Sequence, residues 1–123
     1  MNVVDSSGWI EYFNGGPNAK FFQSAILDTD ELVVPTMVLL EVYKHVRRHQ
    51  GREEALQAIA GMTQGRVHDL DETLALVAGE IGVEQGLPLA DSVILATARI
   101  HEATLWTQDS DFEGLELVKF RAK

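Results

Sequence analysis

Cysteine is absent from this 123-residue chain, proline occurs three times, and tryptophan and tyrosine twice each. Without cysteine there is no disulfide framework and no thiolate metal site, which fits a cytoplasmic protein. No apolar run approaches the roughly 20 residues of a membrane span. No basic flank leads into a long apolar stretch at the N-terminus, so neither a membrane anchor nor a signal peptide is expected. The scarcity of positive charge excludes the most. Ten Lys and Arg face nineteen Asp and Glu, for a net charge of −9, whereas a simple electrostatic nucleic-acid binder is basic over its contact face.

The few cations are unevenly spread. Lys44, Arg47, Arg48 and Arg52 fall together in KHVRRHQGR, with His45 and His49 among them. That stretch is either a place for a phosphate backbone or a solvated helix face. Hydrophobic residues at 46% and charged residues at 24% are ordinary for a globular chain, and the length suits one domain over residues 1–123 with a proper core.

Short apolar runs alternate with helical spacing. Strands are expected at Asn2–Val4, Leu32–Val34, Arg66–His68, Thr104–Trp106 and Glu116–Phe120. Helices are expected at Ser7–Phe13, Asn18–Leu27, from Thr36 as N-cap through Val46, and at Arg52–Thr63, Glu72–Gln85 and Ala90–Ile100. Asn14-Gly15-Gly16-Pro17 is a turn cluster, and Gly86 a helix stop. Phe13 is expected in the core and Trp9 half-buried, while His68 and His101 carry no metal role. Strands separated by helical crossovers imply an α/β protein with a parallel sheet covered on both faces. Ligands then gather beyond the carboxyl ends of the strands.

Position selects among the acids. Asp5, Glu41, Asp91, Asp109 and Asp111 each interrupt or abut an apolar element, whereas the others lie in polar stretches. Each has a structural explanation. Asp5 and Asp91 suit helix N-termini, Glu41 reaches Lys44 or His45 along its helix, and Asp109 and Asp111 shape a turn. Taken together, acids converging at one sheet edge without matching cations raise one another's pKa. A divalent cation resolves that repulsion, and an all-oxygen donor set suits Mg²⁺ or Mn²⁺. Such an ion positions and acidifies a water for phosphoryl chemistry. Thr107 or Ser7 would orient that water or a carboxylate. This is the chemistry of a nuclease.

DSSGWIEYF, PTMVLLEVYK, LPLADSVILATA and LWTQDSDF, in that order along the chain, resemble PIN domains, and within them the VapC-type ribonuclease toxins of prokaryotic toxin–antitoxin pairs. The resemblance implies a three-layer α/β/α fold with a central parallel sheet and a Mg²⁺- or Mn²⁺-dependent site that cuts single-stranded RNA. It matches Asp5, Glu41 and Asp91 to the family's first three acids, with Asp109 favoured over Asp111 as the fourth, and Thr107 and Ser7 to its hydroxyl positions. It also implies a small cognate antitoxin as partner and a homodimer. RNA would be held through the metal and the Lys44–Arg52 stretch. Two alternatives stand beside this: a phosphoacceptor receiver domain, which needs an adjacent acid pair after the first strand, and a catalytically silent PIN module.

Overall fold

The computed structural model describes all residues, 1–123. Five short strands, β1 (Asn2–Val4), β2 (Leu32–Pro35), β3 (Arg66–His68), β4 (Thr104–Thr107) and β5 (Val118–Phe120), form one sheet in the order β3-β2-β1-β4-β5. Every neighbouring pair is parallel. Six helices connect them: α1 (Ser6–Asn14), α2 (Ala19–Leu27), α3 (Thr36–Gln50), α4 (Arg52–Met62), α5 (Glu72–Gln85) and α6 (Leu89–Ile100). Right-handed crossovers place α1 to α4 and α5 to α6 on opposite faces, because strand order runs outward from β1 to β3 and then returns to β4. The result is the three-layer α/β/α arrangement.

Val3, Val4, Val33, Val34 and Leu105 lose all solvent contact, as strands covered on both faces should. Seven consecutive residues of α6, Ser92–Ala98, are buried. A helix buried all round is an interior helix, so α6 is fixed by packing along its central two turns, with Leu89 and Ile100 at its ends exposed. Gly86 ends α5 in the left-handed conformation, φ 66°, and its N–H donates to the Gly82 carbonyl. Gly8 serves a different purpose. A Cβ there would lie 2.6 Å from Phe22 Cε1 and 2.8 Å from Val4 Cγ1, so only glycine lets α1 approach α2 and β1. Gly8→Ala is expected to cost about 1–3 kcal/mol by overpacking, more than the up to ~1 kcal/mol that alanine contributes within a helix. Urea denaturation measures this, and an unchanged or higher midpoint would contradict the close approach.

Three expectations need correction. Thr36 is the first residue of α3 and not its N-cap; Pro35 occupies the cap position, and the Thr36 hydroxyl instead accepts from the Leu70 backbone N–H. Trp9 is the core aromatic, 2% exposed, and Phe13 is 38% exposed. Phe13 lies one turn further along, where α1 ends at Gly15 and there is less structure to cover it. The receiver alternative also fails on topology. In that fold the third strand sits beside the first, whereas here β3 is the outer neighbour of β2, and β1 is followed by one acid, not a pair.

Candidate active site

The strand order reverses between β1 and β4, and the carboxyl ends of these two strands bound the crevice in which open parallel sheets bind ligands. β1 delivers Asp5 there and β4 delivers Thr107, with Asp109 and Asp111 just beyond.

Asp5 is both a cap and a member of the cluster. It is 3% exposed, and its Oδ1 accepts from the Gly8 N–H at 3.0 Å, which caps α1. The same oxygen accepts from Ser7 Oγ at 2.7 Å, and Oδ2 accepts from Thr107 Oγ1. Burial raises the Asp5 pKa; the bonds from Thr107, Ser7 and Gly8 oppose that rise, and the nearby charge of Asp109 adds to it. Thr107, itself fully buried, uses its hydroxyl twice, donating to Asp5 and accepting from the Asp109 N–H at 2.9 Å. It ties the ends of β1 and β4 to one geometry.

Asp91, in the first turn of α6, faces Asp109 and Asp111 with one carboxylate oxygen from each within 4.8 Å of the others. Burial, then the charges of Asp109 and Asp111, a hydrogen bond with Asp111 and the charge of Asp5 push the Asp91 pKa up to about 7. Both loop acids therefore belong to the three-acid group. Asp109 also accepts from the Asp111 N–H at 2.9 Å, capping a short 3-10 turn, Ser110–Phe112, that the fully buried Phe112 ring pins to the core.

Asp5 and Glu41 lie outside this three-acid group; the charge of Asp5 still reaches Asp91 and Asp109. Glu41 pairs with neither Lys44 nor His45. Ser6 Oγ donates to its Oε1 at 2.8 Å, which makes Ser6 a residue that sequence reasoning missed. Adjacent serines on α1 thus serve different acids, Ser6 holding Glu41 and Ser7 holding Asp5.

No cation offsets these charges. The one ion pair in the structure joins the Met1 amino group to Glu31 at 3.5 Å, elsewhere on the molecule. The donors fit a hard divalent ion. All are oxygens, and ligand distances of about 2.0–2.6 Å put two oxygens on one ion at most about 5 Å apart, which is the spread of the Asp91, Asp109 and Asp111 group.

Of the four cations read as a phosphate-holding stretch, Lys44 and Arg48 line a cavity with Glu41, His45, Met37, Leu40 and Ala90. Arg47 and Arg52 do not line it. Burial, His49 and Arg48 lower the His45 pKa. Away from the site, His68 Nδ1 and His101 Nε2 lie 2.7 Å apart, so these two histidines satisfy one another.

The PIN domain family model matches residues 3–116. The chain belongs to the PIN domain family. No curated protein sequence matches this PIN domain at a significant level. Among solved structures, it is similar to a chain of a toxin–antitoxin complex from Klebsiella pneumoniae, at 22% identity and TM-score 0.80, over 97% of this chain and 96% of that one. It is similar as well to a chain of VapBC2 from Rickettsia felis bound to a promoter DNA fragment, at 15% identity and TM-score 0.74, over 98% and 97% of the two chains. A third is the Mycobacterium tuberculosis VapC20 toxin, described as cleaving the sarcin-ricin loop, at 22% identity and TM-score 0.73, over 91% and 92%.

Proposed function

We propose that this PIN domain is a divalent-metal-dependent endoribonuclease of the VapC type, the toxin of a toxin–antitoxin pair, cutting single-stranded RNA. The observation that carries the proposal is the cluster of Asp5, Asp91, Asp109 and Asp111 at the β1/β4 crevice, mutually repelling and without a cationic partner. Intact acids at every one of these positions speak against a catalytically silent module. Membership of the PIN family, and full-length likeness to chains from toxin–antitoxin complexes and to an RNA-cleaving toxin, support the choice of substrate and of a small antitoxin as partner. A homodimer and a cytoplasmic location accompany that reading; no helix is long and apolar enough to cross a membrane.

In this mechanism Asp91, Asp109 and Asp111 would hold Mg²⁺ or Mn²⁺, with Asp5 as the fourth carboxylate nearby. When bound, the ion supplies Lewis-acid stabilisation of charge on the phosphoryl oxygens and a water of lowered pKa. Thr107 and Ser7 fix the Asp5 carboxylate by donating to its two oxygens. Ser6 orients Glu41 by donating to its Oε1. Val4, Thr107 and Phe112, each within two residues of one of the acids in sequence, are fully buried.

Asp5→Asn separates the two roles of Asp5. Asparagine caps a helix about as well as aspartate, so the fold is retained while a charge is deleted. Cleavage of single-stranded RNA with Mn²⁺ is expected to fall about 10²-fold or more, the scale for losing one preorganised electrostatic group, with an unchanged circular dichroism spectrum. Wild-type-level cleavage by this variant would remove Asp5 from the site.

A further inference from the structure

Two cavities flank the acid cluster: one holds Glu41 and reaches Ala90, and the other takes Asp109 from the cluster. The first, about 390 Å³, is lined from α3 by Met37, Leu40, Glu41, Lys44, His45 and Arg48 and closed by Ala90, the residue before Asp91. The second, about 260 Å³, is lined by Gln108, Asp109, Ser110, Phe120, Ala122 and Lys123. α3 follows β2 and Lys123 follows β5, so the grooves lie on opposite sides of the β1/β4 crevice.

Their chemistry is alike. Each has cations among its lining residues together with an acid, Lys44 and Arg48 with Glu41 in one and Lys123 with Asp109 in the other. Each also has a surface against which a nucleobase can lie. In the first groove that surface is Met37, the exposed Leu40 side chain and the His45 ring, itself stacked on His49 with centroids 4.3 Å apart. In the second it is the Phe120 ring. Base stacking on such surfaces tolerates any sequence.

The second groove is also held in shape. Asn18, 9% exposed, donates from Nδ2 to Gln108 Oε1 and to the Ala122 carbonyl, both at 3.0 Å, locking the loop after β4 to the segment after β5. The other cations of that segment are engaged by aromatic rings. Lys119 Nζ lies 4.5 Å from the Trp106 centroid and the Arg121 guanidinium 4.7 Å from that of Phe21. Lys123 is the cation that faces the groove. In a chain of net charge −9, most of the ten Lys and Arg lie in 44–52 and 119–123, the segments that supply the two grooves.

We propose that the RNA strand lies across both grooves: the nucleotide on one side of the reacting phosphate is held by Lys44, His45 and Arg48, and the nucleotide on the other side by Phe120 and Lys123. This deepens the ribonuclease reading and rests on it. It also answers how so acidic a protein holds a polyanion: the contacts are few and are placed in the two cavities that flank the acid cluster. Arg47 and Arg52, though adjacent in sequence, take no part.

The test is binding of a fluorescein-labelled ten-nucleotide single-stranded RNA to Asp91→Asn protein, by anisotropy across a KCl series. Each phosphate contact contributes a slope of about −0.7 to log K against log[salt] for single strands. Adding Lys44→Gln with Arg48→Gln is expected to flatten the slope by about 1.4, and adding Lys123→Gln by about 0.7. Arg47→Gln with Arg52→Gln is expected to leave it unchanged. Unchanged slopes for the groove variants, or an equal loss for Arg47→Gln with Arg52→Gln, overturn the path. So does intact RNA binding combined with loss of association with a co-expressed antitoxin, which assigns the grooves to protein. If groove variants bind normally while otherwise wild-type protein cleaves RNA with Mn²⁺, the path fails and the ribonuclease reading stands. If wild-type protein neither cleaves nor binds RNA, the ribonuclease reading itself fails.

Discussion

Asp91→Asn is expected to make the metal-free protein more stable at pH 8 while removing its nuclease activity. The folded pKa of Asp91 is raised from 3.8 to about 7 by burial and by Asp109, Asp111 and Asp5. The native state therefore binds the Asp91 proton more tightly than the unfolded chain does. Stability from this group is complete below the unfolded pKa and is lost as pH rises through about 7. At pH 8 Asp91 is ionised among like charges, and asparagine removes that repulsion in a side chain of similar size. Asp91 is only half-buried, so solvent screens part of the effect. A gain of about 1–2 kcal/mol remains, or roughly 4–8 °C in Tm for a chain of this length. Thermal melts in EDTA at pH 4 and pH 8 check it: the variant and wild type should nearly coincide at pH 4 and separate at pH 8. A variant melting below wild type at pH 8 would mean that the Asp91 charge stabilises the fold.

Divalent cation is expected to produce the other large effect. An ion that binds only the folded chain stabilises by about 2.7 kcal/mol at a hundred times its Kd, and it competes with a proton for Asp91. Mn²⁺ or Mg²⁺ should thus raise Tm strongly at pH 8, more weakly at pH 5.5 where Asp91 is protonated, and scarcely at all in Asp109→Asn protein. Melts with and without 5 mM ion, on the order of a saturating concentration for such sites, supply the comparison. Equal shifts at the two pH values, or an undiminished shift in Asp109→Asn, would place the ion elsewhere.

Much of the acid grouping was legible because these acids violate the local pattern. Asp5 stops an apolar strand, Asp91 stands at the head of an otherwise apolar helix, and Asp109 and Asp111 follow a strand. Alternation of strands and helices sufficed for a parallel sheet, and with it for the edge at which the acids meet. Asp5 does cap α1, through the oxygen that accepts from Gly8, while its other oxygen accepts from Thr107. Ser6 was not legible. Two neighbouring serines sit about 100° apart on a helix, and only the position of α3 relative to α1 decides which of them meets Glu41. Trp9 and Phe13 were exchanged for a related reason: they share a helix face, and burial depends on where the sheet beneath that face ends. The groove at Phe120 and Lys123 depends on Asn18, ninety residues from Gln108 in sequence, a separation that no local pattern encodes.

The central claim is that the Asp5, Asp91, Asp109 and Asp111 cluster cuts RNA only with a divalent ion. The direct measurement is cleavage of an end-labelled single-stranded RNA by partner-free protein, first in EDTA and then across a Mn²⁺ titration. No cleavage is expected in EDTA, saturable cleavage as Mn²⁺ is restored, and none at any Mn²⁺ concentration for Asp91→Asn. Undiminished cleavage in EDTA, or no cleavage by wild type at saturating Mn²⁺, would contradict it.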